Sequence, residues 1–116
     1  FPFPSYRFHY WTNRLMKRII LILFLLTSSI SAVADTKIEL GLEVYNNKAM
    51  CGTCHTLQDA GSAGNIGPNL DQLKPSMDQI IYVVTNGIGS MQSWDGILSR
   101  EEIEAVAYYV FNSTNK

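Results

Sequence analysis

Cys51-Gly52-Thr53-Cys54-His55 gathers both cysteines of this 116-residue chain and one of its two histidines into five consecutive positions. Cysteines at i and i+3 fall on one face of a helical turn, so both thiols can add to the two vinyl groups along one edge of a porphyrin. The histidine next in line then lies beneath the iron as an axial ligand, and Cys-x-x-Cys-His is the attachment pattern for haem c. Other uses of these residues fit less well. A thioredoxin-like dithiol belongs near a βαβ pattern, and no flanking run alternates β-branched and polar residues. A structural zinc site takes four ligands, and this segment supplies three. A disulfide with a histidine beside it by chance leaves the downstream pattern unexplained.

A second axial ligand has to come from elsewhere in the chain. The other histidine, His9, precedes a leader-like segment described below, which excludes a bis-histidine site in a processed chain. Met50 adjoins Cys51 and cannot easily reach the opposite face of the ring. Met77 sits in a helical apolar stripe, where methionine is commonly filler. Met91 ends Asn86-Gly87-Ile88-Gly89-Ser90-Met91, a flexible glycine-containing segment able to lay a thioether across the porphyrin, and it is the expected ligand. Met77 and an open or water-bound iron are the alternatives.

Three helices are expected to position these groups. Thr36-Lys37-Ile38-Glu39 reads as a capping box, followed by Ile38, Leu42 and Tyr45 on one helix face. Ser76-Met77-Asp78-Gln79 opens a middle helix that carries Met77, Ile80, Ile81 and Val84 and ends at Asn86-Gly87. Ser99-Arg100-Glu101-Glu102 opens the last, with Ile103, Val106, Ala107 and Val110 as its stripe and Tyr109 beside it. Gly41 costs the first helix up to about 1 kcal/mol relative to alanine unless a second helix approaches closely. A crossing in which Gly41 and Tyr45 meet Val106 and Tyr109 supplies that reason. Residues 59–74, rich in glycine and proline, are expected to be a loop over the proximal side.

Residues 1–15 show no usable periodicity and are expected to lie upstream of a translation start at Met16. Met16-Lys17-Arg18, the apolar run 19–26 and Ala32-Val33-Ala34 follow the charged, apolar and small-residue order of a secretory signal. The expected organisation is therefore a non-native upstream segment 1–15, a signal peptide 16–34 and one domain 35–116 in the periplasm, with no membrane span after cleavage. An uncleaved anchor is the alternative, although residues 19–34 are short against the roughly 20 needed to span.

The whole chain has a net charge of −1, but residues 35–116 hold five cations against ten anions, a net charge of −5. That balance argues against a nucleic-acid partner; it suggests steering toward a basic patch, with ordinary solubility as the alternative. A domain of this size has a small core. Hiding on the order of 400 Å² of porphyrin at about 25 cal/mol per Å² contributes roughly 10 kcal/mol, so the chain without haem is expected to be largely unfolded.

Taken in order, Gly41 with Tyr45, Cys51 to His55, Gly67-Pro68-Asn69-Leu70, Asn86-Gly87-x-Gly89-x-Met91 and the helix bearing Tyr109 resemble the small class I bacterial cytochromes c over residues 36–112. The resemblance implies an all-α cytochrome c fold of three to four helices wrapped around one covalent haem, with the first and last helices crossing. It implies that Pro68 offers its carbonyl to the Nδ1–H of His55, that Met91 is the distal ligand, and that Trp94 packs beside the haem. Gln92 departs from the family, which has proline there, and puts the stiffness of the Met91 loop in question. More narrowly, His55-Thr56-Leu57, Asp59-Ala60-Gly61, Gly67 to Asp71 and Lys74-Pro75 look like the haem subunit that accompanies bacterial molybdenum sulfite dehydrogenases.

The expected function is one-electron transfer between a dehydrogenase donor and an oxidase or cytochrome acceptor, without enzymatic activity of its own. A subunit fixed in a sulfite dehydrogenase complex is one alternative. A haem enzyme or gas sensor with an open distal position is the other.

Overall fold

The computed structural model describes residues 6–26 and 29–116, and the side chains of residues 13–24 and 32–116. The chain divides into two compact units, Phe1–Ala34 and Asp35–Lys116. Helix α1 spans Tyr6–Leu26, so the stretch without apolar periodicity is helical from Tyr6 onward. Extending a formed helix costs far less than nucleating one. Its described apolar side chains, Ile19 to Phe24 among them, are exposed. Among the described residues, no helix is long and apolar enough to cross a membrane.

Helix α2 spans Ser29–Glu43, beginning seven residues before the Thr36 capping box. No glycine or proline interrupts residues 29–40, so nothing ends the hydrogen-bonded ladder upstream of Thr36. Its inward face also differs from expectation. Leu42 is 36% exposed, whereas Gly41, Val44 and Tyr45 are buried. Val44–Lys48 is π-helical, and the wider turn brings two adjacent residues, Val44 and Tyr45, into the core together.

Helix α3 (Leu70–Leu73) is a single turn inside the segment expected to be loop. Asn69 Oδ1 accepts the Gln72 N–H at 3.2 Å, and Lys74, at φ 47°, ends the turn before Pro75. In the same segment β2 (Ser62–Ala63) pairs antiparallel with β1 (Thr56–Leu57), which lies just before it, in the register Thr56 to Ala63 and Leu57 to Ser62.

Helix α4 (Met77–Asn86) and helix α5 (Arg100–Thr114) begin where their sequence signals place them, each with both bonds of a capping box. The Ser76 and Ser99 hydroxyls accept the Gln79 and Glu102 N–H groups at 3.2 Å. The Gln79 and Glu102 side chains return to the capping residues' N–H groups at 2.9 Å. Ile80 and Val84 from α4 and Ile103, Val106 and Val110 from α5 fill the core with Leu57 and Leu98.

At the crossing of α2 and α5, a Cβ added to Gly41 would lie 2.2 Å from the Ala105 carbonyl oxygen and 2.5 Å from Tyr109 Cβ. Ala105, rather than the expected Val106, faces Gly41, and its small side chain permits the close approach. The rings of Tyr45 and Tyr109 meet edge to face, with centroids 5.9 Å apart and planes at 67°.

Asp59 joins the far end of α5 to the segment after His55. Its carboxylate accepts the Tyr109 hydroxyl at 2.9 Å and pairs with Lys116. Those two donors, Lys116 first, hold the Asp59 carboxyl below the usual carboxylate range. A carboxyl depressed on folding stabilises the protein above its unfolded pKa, and the contribution is lost as pH falls through the folded value. Asp59→Asn is therefore expected to lower stability at neutral pH and to flatten the acid-unfolding curve below about pH 4, as followed by circular dichroism.

Candidate functional site

The site begins where the π-helical segment ends. Met50 takes a left-handed conformation at φ 50° and turns the chain into a single 3-10 turn, Cys51–Thr53. The Cys54 and His55 N–H groups both donate to the Cys51 carbonyl, at 3.1 and 3.0 Å. Both thiols are free and half-buried, on one turn. Burial pushes the Cys51 thiol up to about 11, which keeps it protonated at neutral pH.

Two glycines let the following segment fold back onto this turn. A Cβ on Gly64 would sit 2.6 Å from the Cys54 carbonyl carbon and 2.7 Å from both the Gly52 oxygen and the His55 nitrogen. One on Gly52 would sit 2.7 Å from Ser62 Cβ. The Thr56 hydroxyl donates to the Gly64 carbonyl at 2.8 Å, and the Gln58 N–H donates to Asp71 Oδ2 at 2.8 Å.

The His55 ring is held from two sides. Its Nδ1 lies 2.8 Å from the Pro68 carbonyl oxygen. A carbonyl only accepts, so Nδ1 carries a proton, and in the neutral ring the lone pair for a metal is on Nε2. Gly67, tied to the Cys54 carbonyl at 2.8 Å, lies under the ring. A Cβ there would be 2.5 Å from His55 Cε1 and 2.8 Å from Nδ1.

Met91 and Trp94 are half-buried and pack against the buried cluster that Cys51 also touches. Met77 packs there too, from the first turn of α4, while Met50 is exposed. The stiffness put in question by Gln92 comes from the backbone. Ile88 and Met91 exchange N–H···O bonds of 3.0 and 2.9 Å, with Gly89 at φ 55° between them. The Trp94 N–H donates to the Val84 carbonyl at 2.9 Å, and the Ser93 hydroxyl to that of Thr85 at 2.5 Å. A Cβ on Gly87 would come within 2.7 Å of the Met91 oxygen, so the loop lies flat against the end of α4.

The donor set and its surroundings suit haem c: two free thiols on one turn, an imidazole with Nε2 available, and a glycine where any side chain would strike the ring. Residues 36–110 match the family described as cytochrome C oxidase, cbb3-type, subunit III. Cytochrome c6 of Chlorolobion braunii is 32% identical over 88 residues, which cover 67% of this chain and 92% of that protein. The crystal structure of the c-type cytochrome SorU from Sinorhizobium meliloti superposes with a TM-score of 0.66 at 46% identity, over 71% of this chain and 95% of that one. The chain belongs to the class I c-type cytochromes.

The chloroplastic cytochrome c6 of Chlamydomonas reinhardtii is also similar, at 35% identity over 97 residues, 75% of this chain and 62% of the relative's own length. Like these cytochromes, the protein is an electron carrier rather than an enzyme, and it carries one covalent haem c, for which Cys51, Cys54 and His55 fit the attachment motif. Its fold is the all-α cytochrome c fold. Residue-level reading missed Ser62, Asp59 and Gly64 as parts of the site. Each acts through a contact distant in sequence, for which no local motif exists.

Proposed function

We propose that this cytochrome is a periplasmic one-electron carrier with His55 and Met91 as axial ligands and Cys51 and Cys54 as thioether attachments. The observation that carries the reading is the 2.8 Å bond from His55 Nδ1 to the Pro68 carbonyl, which aims Nε2 at a metal. The bound haem supplies the Fe(III)/Fe(II) couple. His55 and Met91 would hold the iron in both states, and the backbone-pinned Met91 loop would keep water and small ligands from it. Trp94, packed on the core that supports Met91, would help exclude water there. Thioether ligation in a low-polarity pocket favours the reduced state and gives a higher potential than bis-histidine ligation.

The donor is a dehydrogenase and the acceptor a high-potential oxidase or cytochrome, met in weak, transient encounters. The motif resemblance favours a sulfite dehydrogenase as donor, with this chain as shuttle or bound subunit, and the 46% identity to SorU is compatible with that subgroup. Export rests on the charged, apolar and small-residue order of residues 16–34. Cleavage after Ala34 would bring Thr36 to the head of α2, where the Thr36-Glu39 capping box can form.

Met91→Ala is expected to lower the midpoint potential and to open the iron to carbon monoxide, to which the unmodified protein is expected to be closed. An unchanged potential and no carbon monoxide binding in this variant would remove Met91 from the site.

A further inference from the structure

The two core tyrosines come from different helical segments, the π-helical end of α2 and helix α5, yet their hydroxyls reach one short piece of chain. Tyr45 Oη lies 3.0 Å from Ser62 Oγ, and the Tyr109 hydroxyl donates to Asp59 Oδ2 at 2.9 Å. The segment between Thr56 and Gly64 is continuous with His55 at one end. At the other, Gly64 presses on the backbone of Gly52, Cys54 and His55.

Ser62 Oγ accepts the Leu57 N–H at 3.0 Å and lies 3.4 Å from the Leu57 carbonyl; with the Ser62 proton on that carbonyl, the Tyr45 hydroxyl is the donor to Ser62. The tyrosine rings are buried to 1% exposure or less, and phenylalanine would fill the same volume. The hydroxyls therefore do something that packing of the core does not require.

We infer that Tyr45 and Tyr109 are positioning residues for the proximal side of the haem site, clamping the Thr56 to Gly64 segment against the Cys51 to His55 turn through Ser62 and Asp59. The inference rests on the reading of His55 as proximal ligand. With both clamps in place, the turn that carries His55 sits at a fixed angle on the helix crossing, and water is kept from the proximal side. Losing them lets the segment lift. The His55 ring then gains freedom to tilt, and the wetter surroundings favour the more positively charged oxidised state.

The test uses the haem-loaded full chain and its Tyr45→Phe, Tyr109→Phe and doubly substituted forms. Haem-methyl proton shifts of the oxidised protein report the orientation of the axial imidazole, and equilibration with a reference cytochrome reports the reduction equilibrium. Altered methyl shifts are expected in each form, with the reduction constant falling about twofold in the single variants and about fivefold in the double, on the scale of one or two neutral hydrogen bonds. Amide exchange at Leu57 should quicken in Tyr45→Phe. Ser62→Ala, which leaves the Tyr45 hydroxyl buried without an acceptor, should disturb the methyl shifts more than Tyr45→Phe does, and adding Tyr45→Phe to it should restore part of the loss. Unaltered methyl shifts and reduction constant in the double variant would overturn the inference, even with faster exchange at Leu57. An unmodified chain lacking covalent haem would overturn the ligation reading itself, and this inference with it.

Discussion

Gly41→Ala is expected to destabilise the haem-loaded domain by about 3 kcal/mol or more and to leave a substantial unfolded fraction near physiological temperature. The new methyl carbon would sit 2.2 Å from the Ala105 carbonyl oxygen, 2.9 Å from its carbon and 2.5 Å from Tyr109 Cβ. None of these atoms can rotate aside, because two belong to the backbone of α5 and the third is a Cβ. Alanine brings a helix-propensity gain of about 1 kcal/mol, which the overlap exceeds. Parting the helices would also separate the Tyr45 and Tyr109 rings and loosen the surroundings of Leu57 and Val106. Thermal unfolding followed by circular dichroism measures the effect. Leu42→Ala, on the exposed side of the same helix, is the control, with an expected change within about 0.5 kcal/mol.

The second large effect is that of removing both thiols. The Cys51→Ala, Cys54→Ala double variant is expected to yield no covalent haem, so that the denatured chain has the mass of the polypeptide alone. Either single variant should retain one thioether. Porphyrin burial is worth on the order of 10 kcal/mol, about the whole stability of a small domain. A double variant that fails to retain haem should therefore have weak helical circular dichroism and no cooperative melt. A cooperative melt at the temperature of the haem-loaded protein would show that the helices around Tyr45, Ile80 and Val106 are sufficient alone.

Legibility in the sequence followed the range of the interaction. The starts of α4 and α5 were readable because a capping box is complete within four residues, and Ser76 to Gln79 and Ser99 to Glu102 form both bonds. Gly41 was readable as a crossing point because glycine inside a helix needs a reason, and the approach of Ala105 and Tyr109 supplies it. The inward face of α2 is not legible at Leu42, since a period of 3.6 does not foresee a π-helical turn at Val44. Thr36 carries a helix-start pattern, but a four-residue signal cannot say whether the chain upstream continues the ladder.

The proximal side was legible only in part. Cys51, Cys54 and His55 announce themselves by spacing, whereas the role of Pro68 came from a family resemblance. The distance from Pro68 to Nδ1 is a property of the fold, spanning thirteen residues. The ties from Tyr45 to Ser62 and from Tyr109 to Asp59, seventeen and fifty residues apart, have no sequence signature. The glycines of residues 86–91 suggest a flexible loop and Gln92 leaves its stiffness in question, but carbonyls of Val84, Thr85 and Ile88 pin its backbone.

The most direct test of the central claim is the optical spectrum of the periplasmically expressed protein, oxidised and reduced, with and without carbon monoxide. Ligation by His55 and Met91 predicts a covalently held, low-spin haem in both states and a reduced spectrum unmoved by carbon monoxide. A high-spin spectrum, or one that shifts on adding carbon monoxide, would mean an iron open on its distal side and would contradict the account.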